Sequence, residues 1–149
     1  MILIAHRGNV DGPIPELENN PDYIQQALGL GFDVEVDLWT VDGKFFLGHD
    51  NPVYPISRSF LKNQKLWVHC KNPEGLYALK FENINYFFHE TDKVTLTSKQ
   101  FIWAFPGTQP IKNSIAVMPE LFNDNISQCL GVCSDYITNY KGTEYENNL

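Results

Sequence analysis

With 149 residues, 43% of them hydrophobic, the chain has the size of one domain and enough apolar material for a core, which excludes a disordered polypeptide. Eighteen acidic residues against eleven basic ones give a net charge of −7, which argues against nucleic acid as a partner, because Lys and Arg drive binding to a phosphate backbone. No apolar run approaches the roughly 20 residues of a membrane span, and a strand starting at Ile2 leaves no place for a leader peptide. The three cysteines, Cys70, Cys129 and Cys133, lack zinc-ligand spacing and leave one unpaired in any disulfide scheme, so free core thiols in a cytoplasmic protein are expected.

Met1 to Ala5 is a short apolar run of the kind a buried parallel strand gives, and it ends abruptly in His6-Arg7-Gly8. A loop rich in Gly and Pro follows. Asn20 then reads as the cap and Pro21 as the first position of a helix that stops at Gly29 or Gly31. The next run, Phe32 to Trp39, carries Asp33, Glu35 and Asp37 at every second position, so in a strand all three point to one face. Two carboxylates that close in an apolar setting repel unless something positive sits between them, and a hard divalent cation is the simplest candidate. An isolated Glu-x-Asp is more often a solvated strand face; here the surroundings count against that.

Leu38 to Gly43 is too short for a helix before the apolar run Phe45 to Asp50. Asp42-Gly43 is a hairpin signal, while an extended connector long enough to let the next strand rise parallel is the alternative. Leu66 to Lys71 is a strand followed by a helix from Pro73 through Lys80. Runs at Tyr86 to Glu90, Phe101 to Phe105, Ser114 to Met118 and Gly131 to Asp135 supply further strands, the last two separated by a helix around Ile126 to Leu130. Trp39, Trp67 and Trp103 all fall in strands and read mainly as core, with Trp103 and Phe105 able to line a pocket. The tail from Asn139 to Leu149 is polar and expected to fray.

Eight strand candidates with interspersed helices predict one α/β domain over residues 1–149, a minimised TIM-like (β/α)8 barrel with several outer helices reduced or missing. Bare barrel wall would call for self-association or a covering partner. An open doubly wound sheet is the alternative, but the turn after the first strand is not Gly-rich. All four histidines, His6, His49, His69 and His89, fall at predicted carboxyl ends of strands, where a parallel barrel builds its active site.

These residues carry a resemblance. His6-Arg7-Gly8, Glu18-Asn19, Glu35-x-Asp37, Gly48-His49-Asp50 and Lys71 resemble, in order and spacing, the glycerophosphodiester phosphodiesterase family, with sphingomyelinase D a more distant relative. Val132 to Tyr136 is similar to that family's closing strand, and residues 74–130 carry no match. The resemblance implies a phosphoric diester hydrolase for a small glycerophosphodiester-like or polyol phosphodiester. Glu35 and Asp37 would be metal ligands, His6 and His49 the acid/base pair, Arg7 and Lys71 phosphate contacts, and Glu18 and Asp50 supporting groups. It also implies magnesium or calcium as cofactor. The chain departs from the family in having His69 where a third carboxylate ligand is expected; with His69 as ligand, manganese or zinc becomes the better match. His89, Glu90 and Glu120 are strand-end polar residues with no assigned role. Attack by a neighbouring substrate hydroxyl would give a cyclic product instead of hydrolysis, and a barrel that keeps its phosphate and metal pocket without turnover is the non-enzymatic alternative.

Overall fold

The structure is a computed structural model and describes residues 1–143; the predicted tail lies partly outside them. Ten strands form one mixed, curled sheet. They are β1 (Ile2–His6), β2 (Asp33–Val41), β3 (Lys44–Leu47), β4 (Tyr54–Ile56), β5 (Leu66–Cys70), β6 (Asn85–Phe87), β7 (Val94–Leu96), β8 (Ile102–Ala104), β9 (Ser114–Val117) and β10 (Gly131–Ser134). Among the described residues three short α-helices interrupt them: α1 (Pro21–Gly29), α2 (Arg58–Leu61) and α3 (Pro73–Ala78). Strands β6, β5, β2, β1, β10, β9 and β8 lie side by side in that order and run parallel.

This corrects the expected (β/α)8 TIM barrel. The protein is a half-barrel of mixed strand direction, and most strands follow one another without a helix between them. The first departure sits at Asp42 and Gly43, whose φ values of 51° and 74° are both left-handed. That pair makes the tight turn of a twisted hairpin, so β3 folds back antiparallel along the outer half of β2, with Thr40 opposite Phe45, and never becomes a barrel stave. β4 extends the same antiparallel flap. At the other end β7 pairs antiparallel with β8. Among the described residues no ladder joins β7 to β6; Ser98 bridges the gap instead, its N–H donating to Tyr86 O at 2.8 Å and its hydroxyl to Ile84 O at 2.8 Å. The helix expected around Ile126 to Leu130 is absent. Asn125 Oδ1 accepts from Ser127 N at 3.1 Å, a local turn that competes with helix, and a short 3₁₀ turn at Pro119–Leu121 stands nearby.

Strand alternation sorts the side chains into two layers. On the outer face Val34, Val36, Leu38, Leu66, Val68 and Val132 pack against Ile24 and Ala27 of α1, Leu61 of α2, Leu79 and Ile137. On the inner face Ile4, Trp67, Phe87, Trp103, Ile115 and Cys133 make an apolar floor, with the Trp67 and Trp103 ring centroids 5.8 Å apart. Helix α1 starts as expected, with Asn20 Oδ1 accepting from Asp22 N and Pro21 in the first turn. Asn72, before α3, is used differently: it accepts from Thr40 N at 3.1 Å and donates to Thr40 O at 2.7 Å, clamping the end of β5 to β2. No described helix is long and apolar enough to cross a membrane.

All three cysteines are free and buried. Burial pushes the Cys70 thiol up to about 12 and raises those of Cys129 and Cys133, so little thiolate exists at neutral pH. The native protein is expected to resist an aromatic disulfide reagent, with all three thiols reacting only in denaturant. Thiol titration by absorbance checks this, and rapid reaction without denaturant would contradict the packing described.

Candidate active site

The inner face turns polar toward the carboxyl ends of the parallel strands. Register explains the convergence: His6 lies opposite Glu35, Asp37 opposite His69, and His69 opposite Phe87. Alternation along β2 directs Val34, Val36 and Leu38 to the helices, so Asp33, Glu35 and Asp37 face inward together. Asp33 sits deeper and accepts from Trp67 Nε1 at 2.9 Å, whereas Glu35 and Asp37 meet the cavity and are 2% and 1% exposed. The cavity holds about 400 Å³ and is lined by His6, Arg7, Glu35, Asp37, His49, His69 and Lys71 among others.

Each buried carboxylate is met by positive or donating groups. Arg7 and Gly8 both have left-handed φ, 55° and 92°, turning the chain sharply after β1. Arg7 Nε lies 3.0 Å from Asp37 Oδ2, and its Nη1 reaches Glu18 Oε2 at 3.2 Å. That Nε is buried, and its contact with Asp37 is an ion pair without hydrogen-bond alignment. Asn19 grips Asp37 twice, donating Nδ2–H to Oδ2 and accepting from the Asp37 backbone N–H, each at 2.9 Å. Lys71 Nζ stands 3.9 Å from Asp37 Oδ1.

His69 supplies the third group. Its Nδ1 is 3.4 Å from Asp37 Oδ1 and 3.8 Å from Glu35 Oε1, while Nε2 faces His89 O at 3.1 Å. A carbonyl can only accept, so Nε2 carries the proton and Nδ1 is left with its lone pair toward the carboxylates whenever the ring is neutral. The ring stacks on His89 and Phe87 at centroid distances of 4.7 and 5.1 Å. Ligand atoms of Glu35, Asp37 and His69 all lie within 4.8 Å of one another, a donor set of two carboxylates and one imidazole that suits a divalent cation.

The electrostatics of the pair are asymmetric. Burial, reinforced by the charge of Asp37, pushes Glu35 up. Burial also opposes ionisation of Asp37, but a hydrogen bond from Nδ1 of His69, made when that ring is charged, and the Arg7 charge outweigh it and hold Asp37 well below the usual carboxylate range. Of the two, Glu35 is therefore the one that takes up a proton first, and a cation would favour ionisation of both.

His6 and His49 are each oriented by a carboxylate. His6 Nδ1 is 2.7 Å from Asp135 Oδ1 and its Nε2 is 3.8 Å from Glu35 Oε2. Burial works against a charged His6, yet the Asp135 hydrogen bond and the Glu35 charge prevail and its pKa is raised. His49 Nδ1 is 2.8 Å from Asp50 Oδ1 at the exposed rim. The hairpin delivers it there: β3 returns along β2 until Gly48 N donates to Asp37 O at 3.1 Å, and Gly48 O accepts from Trp39 Nε1 at 2.9 Å.

All the expected ligands, phosphate contacts and imidazoles therefore meet at one cavity, with Glu18 beside Arg7 and Asp50 beside His49. His89 and Glu90 line it too, burial lowering His89 to about 4. Glu120 instead accepts from Ser134 Oγ and Tyr140 OH, each at 2.8 Å. Sequence reading assigned no role to Asp135 or to Asn9, whose Nδ2 joins Glu18 Oε1 at 3.0 Å to Asp135 Oδ1 at 2.9 Å. The similarity of residues 132–136 to a family closing strand was the available signal for Asp135; Asn9 had none. No family model, curated protein or solved structure matches this chain.

Two outcomes are expected. In metal-free protein Asp135→Asn should lower the His6 pKa, read by NMR titration of the ring. Because the folded-state value is raised, His6 stabilises fully below the ordinary imidazole range and ceases to as pH climbs through the raised value; Asp135, lowered, contributes above the ordinary carboxylate range and loses it as pH falls through its own. The variant should flatten both limbs of the stability profile. At Gly48 a Cβ would meet Asn51 O at 2.0 Å, so Gly48→Ala should cost on the order of 1–3 kcal/mol in urea unfolding, an unchanged midpoint contradicting the close approach.

Proposed function

We propose that this protein is a divalent-cation-dependent phosphodiesterase acting on a small phosphodiester. The observation that carries the reading is the meeting, at one cavity, of the Glu35, Asp37 and His69 donor set, within 4.8 Å, with Arg7, Lys71 and two carboxylate-oriented imidazoles. The motif resemblance to glycerophosphodiester phosphodiesterases supports it independently of the fold. The buried free thiols support a reducing, cytoplasmic setting.

Glu35, Asp37 and His69 would hold the cation, which would supply positive charge to offset that of the phosphodiester. Arg7 and Lys71, both lining the cavity, add charge there and orient the phosphate. One imidazole takes a proton from the attacking oxygen as its bond to phosphorus forms. The other gives a proton to the departing ester oxygen as its bond to phosphorus breaks. Asp135 and Asp50 keep each Nδ1 occupied, leaving Nε2 for these transfers. Glu18, through Arg7 and Asn9, fixes the guanidinium.

Purified protein should hydrolyse a glycerophosphodiester or an aryl phosphodiester with added divalent metal, lose activity with chelator, and fall about 10²- to 10⁴-fold in kcat for His6→Ala or His49→Ala. Phosphorus NMR of the product separates attack by water from attack by a substrate hydroxyl. No turnover with any divalent metal would sink the enzymatic reading, and tight phosphodiester binding alongside that result would mark a binding protein. An imidazole ligand suits manganese or zinc better than magnesium, so His69→Asp should shift calorimetric metal preference toward magnesium.

A further inference from the structure

The rim of the cavity is divided by strand. β1, β2 and β5 bring the charged groups already described and the chain after β6 adds His89 and Glu90, whereas the ends of β8 and β9 bring Trp103, Phe105, Pro106, Val117 and Met118. On that second wall the only strong side-chain hydrogen-bonding group is the Trp103 indole N–H. A glycerol group seated there would find few side-chain partners for its hydroxyls and would exchange water for apolar contact. An apolar group would instead shed water on both sides of the contact.

Two features show that this wall is built and held. Met118 has φ 46° and ψ 51°, a left-handed conformation unusual for a long side chain. It is kept there by its N–H donating to Cys133 O at 2.7 Å. Phe105, 44% exposed, stands on a pinned turn: its N–H donates to Lys93 O at 2.8 Å, Thr108 Oγ1 donates to its carbonyl at 2.6 Å, and Gly107 N donates to Asp124 Oδ2 at 2.9 Å. Its ring meets His89 edge-on with centroids 6.0 Å apart, so the apolar wall adjoins the stack that positions His69. Strained backbone that persists at a cavity is where ligand contacts are found.

We propose that the β8–β9 wall is the subsite for one ester group of the phosphodiester, and that this group is apolar, aryl or short alkyl, rather than glycerol. The inference rests on the phosphodiesterase reading of the charged wall and narrows its substrate class. Phe105 and Met118 are the specificity-determining side chains.

The test is calorimetric binding to His6→Ala protein in saturating manganese, which suppresses turnover, with methyl benzyl, methyl butyl and methyl glyceryl phosphates as probes. The benzyl or butyl ester should bind at least about tenfold more tightly than the glyceryl ester, and whichever leads identifies an aryl or an alkyl group. Adding Phe105→Ser or Met118→Gly should bring that ratio toward one; glycine accepts the left-handed φ of position 118, so the second variant keeps its fold. Equal affinities for all three esters, or a preference that survives both substitutions, overturns the inference while leaving the phosphate site standing. Failure of every ester to bind overturns it together with the reading beneath it.

Discussion

The mutual repulsion of two buried carboxylates is the constraint around which this protein is arranged. With the Glu35 and Asp37 ligand oxygens within 4.8 Å, two full charges would repel by roughly 3–4 kcal/mol even at an effective dielectric of about 20, a large share of a domain's net stability. The surroundings answer with Arg7, His69, Lys71 and the double grip of Asn19 on Asp37. These groups come from β5, the turns that follow β1 and β5, and the loop before α1, so the compensation exists only in the folded chain.

The long strand β2 makes the arrangement possible by serving three neighbours. Its first half pairs with β1 and β5, bringing His6 and His69 to the carboxylates, and its second half pairs with β3. The reversal at Asp42-Gly43 removes a barrel stave, yet it returns the chain beside Asp37 and leaves His49 at the mouth. A face that a parallel barrel would make from strand ends alone is completed here by a hairpin. The same curl divides the cavity into a charged wall and an apolar one because neighbouring strands along it end in different chemistry.

The pieces of fold that were legible have local causes. The Asn20-Pro21 helix start, the period-two pattern of β2 and the end of β1 at His6 follow from side chains adjacent in sequence. The misses have equally definite causes. β4 and β7 are three-residue strands, too short to show alternation, and β4 contains Pro55, which argues against a strand interior. Residues 126–130 carried apolar positions but no indication that Asn125 would cap a turn. Asp135 is 129 residues from the His6 it orients, beyond the reach of any local pattern.

The sequence by itself determined the chemistry of the inward face: carboxylates alternate with valines along β2, and imidazoles, a guanidinium and an ammonium fall where strands end, because side-chain direction in a strand is a local property. Only the tertiary structure decided that β3 runs antiparallel, that among the described residues the sheet curls without closing through a ladder, and that Asp135, Asn9 and the apolar wall of β8 and β9 meet those groups. Strand direction and partner choice depend on which distant edges find one another, and no stretch of sequence carries that alone.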